Sequence, residues 1–469
     1  LIDITPELNP QGNEPLYSQL YHFIKEEIRS GRIPSGEKLP SKRKLSNHLS
    51  ISQNTVITAY EQLMAEGYIT SQPRKGVFVS LIQEDLHPAS TNAPTKPVEQ
   101  DNSFSDSMKY DFSHGKIDLA SFPFSIWRKL SQEALFYDQS EFFLTGHPQG
   151  EFLLREQIAK YLYQSRGVIC SPEQLVVGAG TQYMIQFISL LLDGGDLVGF
   201  EEPGFHRTRT AFEDHHIKTV PIPLDEHGIR IDMLENSNAH NAYVTPSHQF
   251  PYGMIMPISR RLELLQWANE RNGYIIEDDY DGEFRYRGRP IPALQGLDAN
   301  QRVIYLGTFS KSLIPSLRIS YMVLPEPLLQ VYLNKLTIYK QTVSRLHQHT
   351  LYLFMKNGHW ETHLNRLRTI YRKKHQILLA SIKKYMQNRV EIIGEHAGLH
   401  ILIKVNKSIA EKSLIKLGND YQVKFYPTSV YYVSKDSGLP KILLGFGGLS
   451  EEEIEEGIKK LSQAWFEGD

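Results

Sequence analysis

The chain has 469 residues, 41% hydrophobic and 22% charged, which is enough apolar material for two to four packed domains. A formal net charge of −2 excludes a protein basic throughout, though not a small basic module on a neutral body. A single cysteine, Cys170, excludes an internal disulfide framework and a Cys-rich zinc site and fits a reducing compartment.

The chain opens at Leu1, as expected of a processed start, and its acidic, polar first residues carry no signal-peptide pattern. Leu16, Leu20, Phe23, Ile24 and Ile28 recur at helical spacing up to the Gly31–Pro34–Gly36 cluster. Ser41 is a natural N-cap for a second helix with Leu45 and Leu49 inward and Lys42, Arg43 and Lys44 outward. A third helix is expected from about Ser52 to Gly67, burying Val56, Tyr60, Leu63 and Met64. Two short strands, 68–71 and 77–79, flank the tight basic turn Gln72–Pro73–Arg74–Lys75–Gly76. Helix, turn, helix and basic-tipped hairpin is the order of a winged helix-turn-helix, and equally of a three-helix interaction module with a charged face. Gln53, Asn54, Thr55 and Thr58 would offer amides and hydroxyls to base edges, while Arg43, Lys44, Arg74 and Lys75 would meet phosphates. Residues 14–80 hold nine Lys or Arg against six Asp or Glu, so this part alone is mildly basic.

The run PLYSQLYHFIKEEIRSGRIPSGEKLPSKRKLSNHLSISQNTVITAYEQLMAEGYI resembles the DNA-binding domain of GntR-type bacterial regulators, most clearly in PSKRKLSNHL, S-x-N-T-V and LMAEGYI. That resemblance implies double-stranded DNA as a partner and adds Ser41 and Gly76 to the DNA-facing set. Such sequences commonly carry Arg after the serine of the turn; here Gln53 stands there, a weaker contact.

From Leu81 to Ser107, Pro88, Pro94 and Pro97 lie among Ser, Thr, Asn and acidic residues, with Lys96 the only Lys or Arg. This predicts an extended tether over 81–108 between a DNA-binding domain at 12–80 and a second domain at 109–469. At ~3 Å per residue the tether reaches several tens of Å.

In that second domain buried strands are expected at 175–178, 197–200, 242–245, 274–277, 303–307 and 319–324. Helices at 151–163, 181–192 and 260–270 lie between several of them, which argues an α/β sheet covered on both faces. The longest apolar run, Met184 to Leu192, is broken by Gln186 and Ser189 and is too short for a membrane span.

Three strand ends carry unusual chemistry. Gly178–Ala179–Gly180–Thr181–Gln182 opens a helix whose amides could hold a phosphate, or is a glycine turn made for sterics. Ile275 to Asp281 puts four carboxylates in five residues, which suits a metal, a cation-pairing acid or a solvated loop. Thr308–Phe309–Ser310–Lys311–Ser312 carries a lysine, with Arg318 seven residues on. Together they meet the needs of pyridoxal 5′-phosphate (PLP): an amine for a Schiff base, an anion at the ring nitrogen, donors for a dianion and an aromatic face.

EEPGFHR, TPSHQFP, IIEDDYDGEF, YLGTFSKSL and LRISYMVLP resemble the fold-type I, aminotransferase-like domain of MocR-type regulators over about residues 109–469. The resemblance implies a large α/β domain followed by a smaller C-terminal α+β domain. It implies Lys311 as the covalent lysine, Asp278 at the pyridinium nitrogen, Tyr280 at the phenolic oxygen, and Gly180, Thr181, Gln182, Ser310 and Arg318 around the phosphate. Phe205 would stack on the ring, where close relatives have Tyr; His147 reads better as a structural histidine. It also implies a head-to-tail homodimer in the bacterial cytoplasm, associated with the nucleoid.

Aminotransferases of this type, and GabR-type sensors of γ-aminobutyrate, grip the substrate carboxylate with an arginine from the C-terminal domain. No arginine follows Arg389 here; Val430 stands at that position, Lys424 and Lys435 offer no planar fork, and Arg207 supplies half a clamp. The pocket is complete for PLP and incomplete for an amino acid. A PdxR-type sensor of PLP, controlling vitamin B6 synthesis, is therefore expected ahead of a GabR-type sensor and of a working aminotransferase.

Overall fold

The computed structural model describes residues 4–12, 14–81, 108–136, 140–192, 196–286, 291–434 and 438–467. The tether expected over 81–108 lies, except at its ends, outside the described residues. The chain divides into two compact units on either side of residue 105.

In the first unit three helices, Leu16–Arg29, Lys42–Leu49 and Gln53–Ala65, precede the antiparallel hairpin Ile69–Gln72 and Gly76–Val79. Each of the two later helices starts at a serine that caps it: Ser41 Oγ accepts from the Lys44 amide and Ser52 Oγ from the Thr55 amide. The apolar stripes converge on a core of Leu20, Ile24, Ile28, Leu45, Val56, Tyr60 and Leu63, each contributing about 1.5–3 kcal/mol of burial. Met64, expected inside, is half-buried, and Ala59 takes the interior place. Two features were not foreseen. Ile4 is buried and Leu8 packs on the same core, so the head takes in residues before 12. Glu37–Leu39 adds a third rung to the wing, the Val79 amide donating to Glu37 and the Leu39 amide to Val77.

The second unit is built on an eight-stranded sheet. Its spatial order is Leu175–Gly178, Ser320–Val323, Val303–Thr308, Ile275–Asp279, Asn241–Val244, Leu197–Glu202, Lys218–Asp225 and Gly228–Ile229. The five strands from Val303–Thr308 across to Lys218–Asp225 run parallel, with Ser320–Val323 antiparallel to both of its neighbours and Gly228–Ile229 antiparallel at the far edge. Separate apolar clusters fill the two faces of this sheet under its helices, as near-continuous apolar strands require. A second, antiparallel sheet of Val390–Ile393, His400–Val405, Lys441–Gly445 and Tyr426–Pro427 packs against helices His359–Tyr385 and Glu451–Phe466. The segment after the tether joins this smaller domain through Tyr110–Asp111, paired with Val423–Lys424. Among the described residues no helix is long and apolar enough to cross a membrane.

Candidate functional site

On the head, Arg43, Lys44, Gln53 and Asn54 are exposed at the starts of the second and third helices, and Arg74, Lys75 and Gly76 are exposed at the wing tip. Ser41 and Thr55 are less free than the sequence suggests. Ser41 Oγ accepts the Lys44 amide as a cap, which leaves its proton to donate, and the Thr55 hydroxyl meets Ser52 Oγ at 2.9 Å. Gly76 has φ +116°, and a β-carbon there would stand 2.9 Å from Lys38 Cε, so the wing tip requires glycine.

On the body, strand pairing explains why three distant motifs meet. Leu306 lies beside Asp278, and Thr308 beside Ser320, which itself pairs with Gly178. The glycine turn, the acidic run and the lysine loop therefore leave one edge of one sheet, where ligands of such sheets bind. Helix Thr181–Leu191 begins there with Gly180 at φ +95° and no capping side chain, which leaves its first amides and positive end available. Arg318 comes to the same turn, its Nη2 donating to the Ala179 carbonyl at 3.5 Å, and it fills the space a Gly180 β-carbon would need. Ser310 folds back onto Thr308, donating its amide to Oγ1 at 3.2 Å.

The four carboxylates of the acidic run take four different partners. Glu277 is buried and accepts from the Leu294 and Gln295 amides, both at 2.8 Å, with burial pushing it up to about 7. Asp279 pairs with Arg166 at 2.6 Å and accepts from Tyr305. Asp281 pairs with His248 at 2.9 Å. Among the described residues Asp278 accepts from the Tyr243 hydroxyl alone, and burial pushes it up to about 7. The remaining groups acting on Asp278, Asp279 and Asp281, are acidic, so it lacks a cation. The run is not a solvated loop.

Lys311 is partly buried, and burial lowers its amine to about 8 with only Asp281 pulling the other way. Its Nζ makes no hydrogen bond among the described residues and lies 3.6 Å from where a Gly115 β-carbon would be. It opens on a cavity of about 410 Å³ whose wall includes Phe205, Arg207, Phe250 and Val430. Phe205 stacks on Phe250 with centroids 4.0 Å apart and planes at 7°, so one face of the expected stacking ring is already covered. Arg207 is exposed, and Val430 is 45% exposed at the cavity wall. Lys435 lies outside the described residues. His147 sits apart from the cavity, its Nδ1 accepting from the Gln149 amide, as a structural histidine would.

Sequence reasoning missed three histidines, His248 and His400 buried and His114 half-buried. His114 lines the cavity, and its ring stands 5.0 Å from His400, itself 5.1 Å from His248. Burial holds His114 and His400 well below the usual histidine range, so both are neutral. His248 lies inside TPSHQFP and carries a signal; the other two come from a turn after Tyr110–Asp111 and from strand His400–Val405, about 290 residues apart in sequence.

The fit to PLP rests on these unmet needs: a buried acid without a cation, an amine without a hydrogen bond, and a bare helix terminus beside an arginine. All three leave neighbouring strands at the same end of the sheet, and PLP carries the complement of each. Comparisons with known proteins agree. Residues 16–79 match "Bacterial regulatory proteins, gntR family" and residues 107–461 match "Aminotransferase class I and II". The HTH-type transcriptional regulator YdeL of Bacillus subtilis is 49% identical, covering 99% of this chain and 100% of its own. The probable rhizopine catabolism regulatory protein MocR of Rhizobium meliloti is 32% identical (98% and 95% covered). The HTH-type pyridoxine biosynthesis transcriptional regulator PdxR of Corynebacterium glutamicum is 31% identical (99% and 99%). The chain belongs to the MocR-type GntR regulators. Its body also superposes on a kynurenine aminotransferase of Pyrococcus horikoshii, 27% identical with a TM-score of 0.69, covering 77% of this chain and 91% of that one. This MocR-type protein is accordingly a PLP-dependent, DNA-binding transcriptional regulator with an aminotransferase-like domain.

Proposed function

We propose that this MocR-type protein senses PLP itself and controls genes of vitamin B6 synthesis. The observation that carries this reading is the cavity wall. Among its described residues Arg207 is the one guanidinium, and Val430 stands where a second would grip a carboxylate. Lacking that partner costs an amino-acid ligand ~1.5–3 kcal/mol, roughly 10–100-fold in affinity. The kinship with PdxR supports the same reading. A GabR-type sensor of an amino acid with PLP is the second reading, favoured by the exposed Arg207 at the cavity.

In this reading Lys311 holds the cofactor covalently, Asp278 faces its ring nitrogen, Tyr280 its phenolic oxygen and Phe205 one face of its ring. Gly180, Thr181, Gln182, Ser310 and Arg318 take the phosphate. When bound, PLP supplies an aldehyde open to amines and an electron-withdrawing ring. The protein prepares each contact in advance. An amine brought to about 8 has a usable neutral fraction near neutral pH. The Asp278 carboxyl, costly as a lone buried anion, ionises readily opposite a cation. The helix terminus and Arg318 present positive charge to a dianion. The body serves as a sensor rather than an enzyme. Site loading biases where the paired heads of a head-to-tail homodimer sit on cytoplasmic, nucleoid DNA.

The test is binding to the DNA upstream of the protein's own gene at fixed salt, apo and PLP-loaded, each with and without a panel of amino acids. A change of affinity or footprint with PLP alone is the expected result. A response that needs one particular amino acid beside PLP transfers the function to the second reading, and identical binding in all states sinks both.

A further inference from the structure

We propose that His248 is a positioning residue of the cofactor pocket, holding Tyr280 so that its phenol offers a proton into the cavity. The inference rests on the reading of Tyr280 as partner of the cofactor's phenolic oxygen. His248 Nδ1 lies 2.9 and 3.1 Å from the two Asp281 oxygens and 2.9 Å from the Tyr280 hydroxyl, and all three side chains are buried. An ionised carboxylate only accepts hydrogen bonds, so the proton shared by this pair sits on Nδ1 and the imidazole donates. Nδ1 then has no lone pair for Tyr280, and the phenol can only accept from it.

The hydroxyl proton of Tyr280 has no other acceptor among the described residues. Three cavity-wall rings surround Tyr280, with centroids 4.9 Å away at Phe205, 6.2 Å at Phe250 and 6.4 Å at His114. A buried donor without an acceptor is costly, and an anionic oxygen in the cavity is the partner that satisfies it best. The imidazole cannot turn away from this duty. A β-carbon on Gly398 would collide with His248 Cε1 and Asp281 Oδ2, so the small-domain segment around Gly398 closes tightly over the pair. Among the described residues His248 Nε2 has no hydrogen-bond partner, and it lies 3.1 Å from where a Gly253 β-carbon would be. The adjoining His400 ring is neutral, its Nε2 directed at the Pro251 carbonyl at 3.1 Å.

The experiment uses the full PLP-loaded chain and two polar substitutions. The amide nitrogen of His248→Asn overlays Nδ1 and keeps a donor between Asp281 and Tyr280, whereas that of His248→Gln reaches only the Nε2 position. PLP affinity is read by absorbance titration, alongside the visible band of the bound form and the thermal midpoint of each apo chain. H248Q is expected to lose ~2–10-fold in PLP affinity with a shifted band, and H248N to stay within about twofold of wild type. H248Q combined with Tyr280→Phe should bind no more weakly than Y280F alone. Equal behaviour of H248N and H248Q, or additive losses in the double variant, overturns the positioning role. A Y280F chain with wild-type affinity and spectrum overturns the underlying reading of Tyr280 and the inference with it.

Discussion

Arg166 donates through Nε to Asp279 Oδ2 at 2.6 Å, with both side chains 3% exposed. The pair commits a buried guanidinium to Asp279 and away from the neighbouring acid. Asp278, one residue earlier and therefore on the opposite side of the strand, is left among the described residues with the Tyr243 hydroxyl and no positive charge. The same strand thus carries one acid satisfied by the fold and one kept for a ligand.

Replacing the kept acid should stabilise the apo protein. The folded-state value of Asp278 is raised to about 7 from 3.8, so the folded state holds its proton longer than the unfolded chain. Stability is then lost as pH climbs from about 4 to about 7 and stays lost above. Asp278→Asn removes that loss. The variant should match wild type near pH 4 and exceed it at pH 8 by on the order of a few kcal/mol, while binding PLP more weakly. Denaturant unfolding of both apo chains at the two pH values tests this. A constant difference between them refutes the assignment.

Lys311→Ala should abolish the visible absorbance of bound PLP near ~420 nm and any PLP effect on DNA binding, while leaving apo DNA binding unchanged. The lysine makes no hydrogen bond that the fold depends on, so the thermal midpoint of the apo variant should stay the same or rise. A visible band in the variant that borohydride converts into a stable, near-ultraviolet-absorbing protein adduct would move the covalent role to another amine.

Local pattern made the three strand-end motifs legible, because each packs its chemistry into a few consecutive residues after an apolar strand. The sorting of Glu277, Asp278, Asp279 and Asp281 was not legible. It depends on Arg166, Tyr243 and His248, whose approach is set by strand order and helix packing rather than by spacing. The same holds for His114, carried to the cavity by a two-residue strand that pairs with Val423–Lys424 about three hundred residues on. In the head, the serine caps and the hairpin were readable, whereas the Glu37–Leu39 rung has no β-rich signature and forms only because the wing offers it a free edge.

Val430→Arg should turn a PLP sensor toward amino acids. Val430 is 45% exposed at the cavity wall, so a guanidinium there replaces no core packing and faces the same space as Arg207. A second fork on a carboxylate is worth ~1.5–3 kcal/mol, so some amino acids should bind the PLP-loaded variant roughly 10–100-fold more tightly than wild type. Spectral titration with an amino-acid panel reads this out. Unchanged affinities across the panel would remove Val430 from any part in selectivity.

The head offers the last test, because its contacts separate into two kinds. Arg74 and Lys75 are exposed at the wing tip and Lys44 at the start of the second helix, where they can neutralise phosphates but read no bases. Gln53 is exposed at the start of the third helix, where its amide can address a base edge. Lys44→Ala or Arg74→Ala should weaken binding to all DNA alike and lower the slope of log affinity against log salt by about one. Gln53→Ala should leave that slope unchanged and reduce only the preference for the operator over unrelated DNA, by ~1–3 kcal/mol. Fluorescence anisotropy with operator and scrambled duplexes at several salt concentrations distinguishes the two. If Gln53→Ala weakened both duplexes equally, Gln53 would not be a base-reading residue, and recognition would fall to Asn54, Thr55 or Thr58 of the same helix or to the wing.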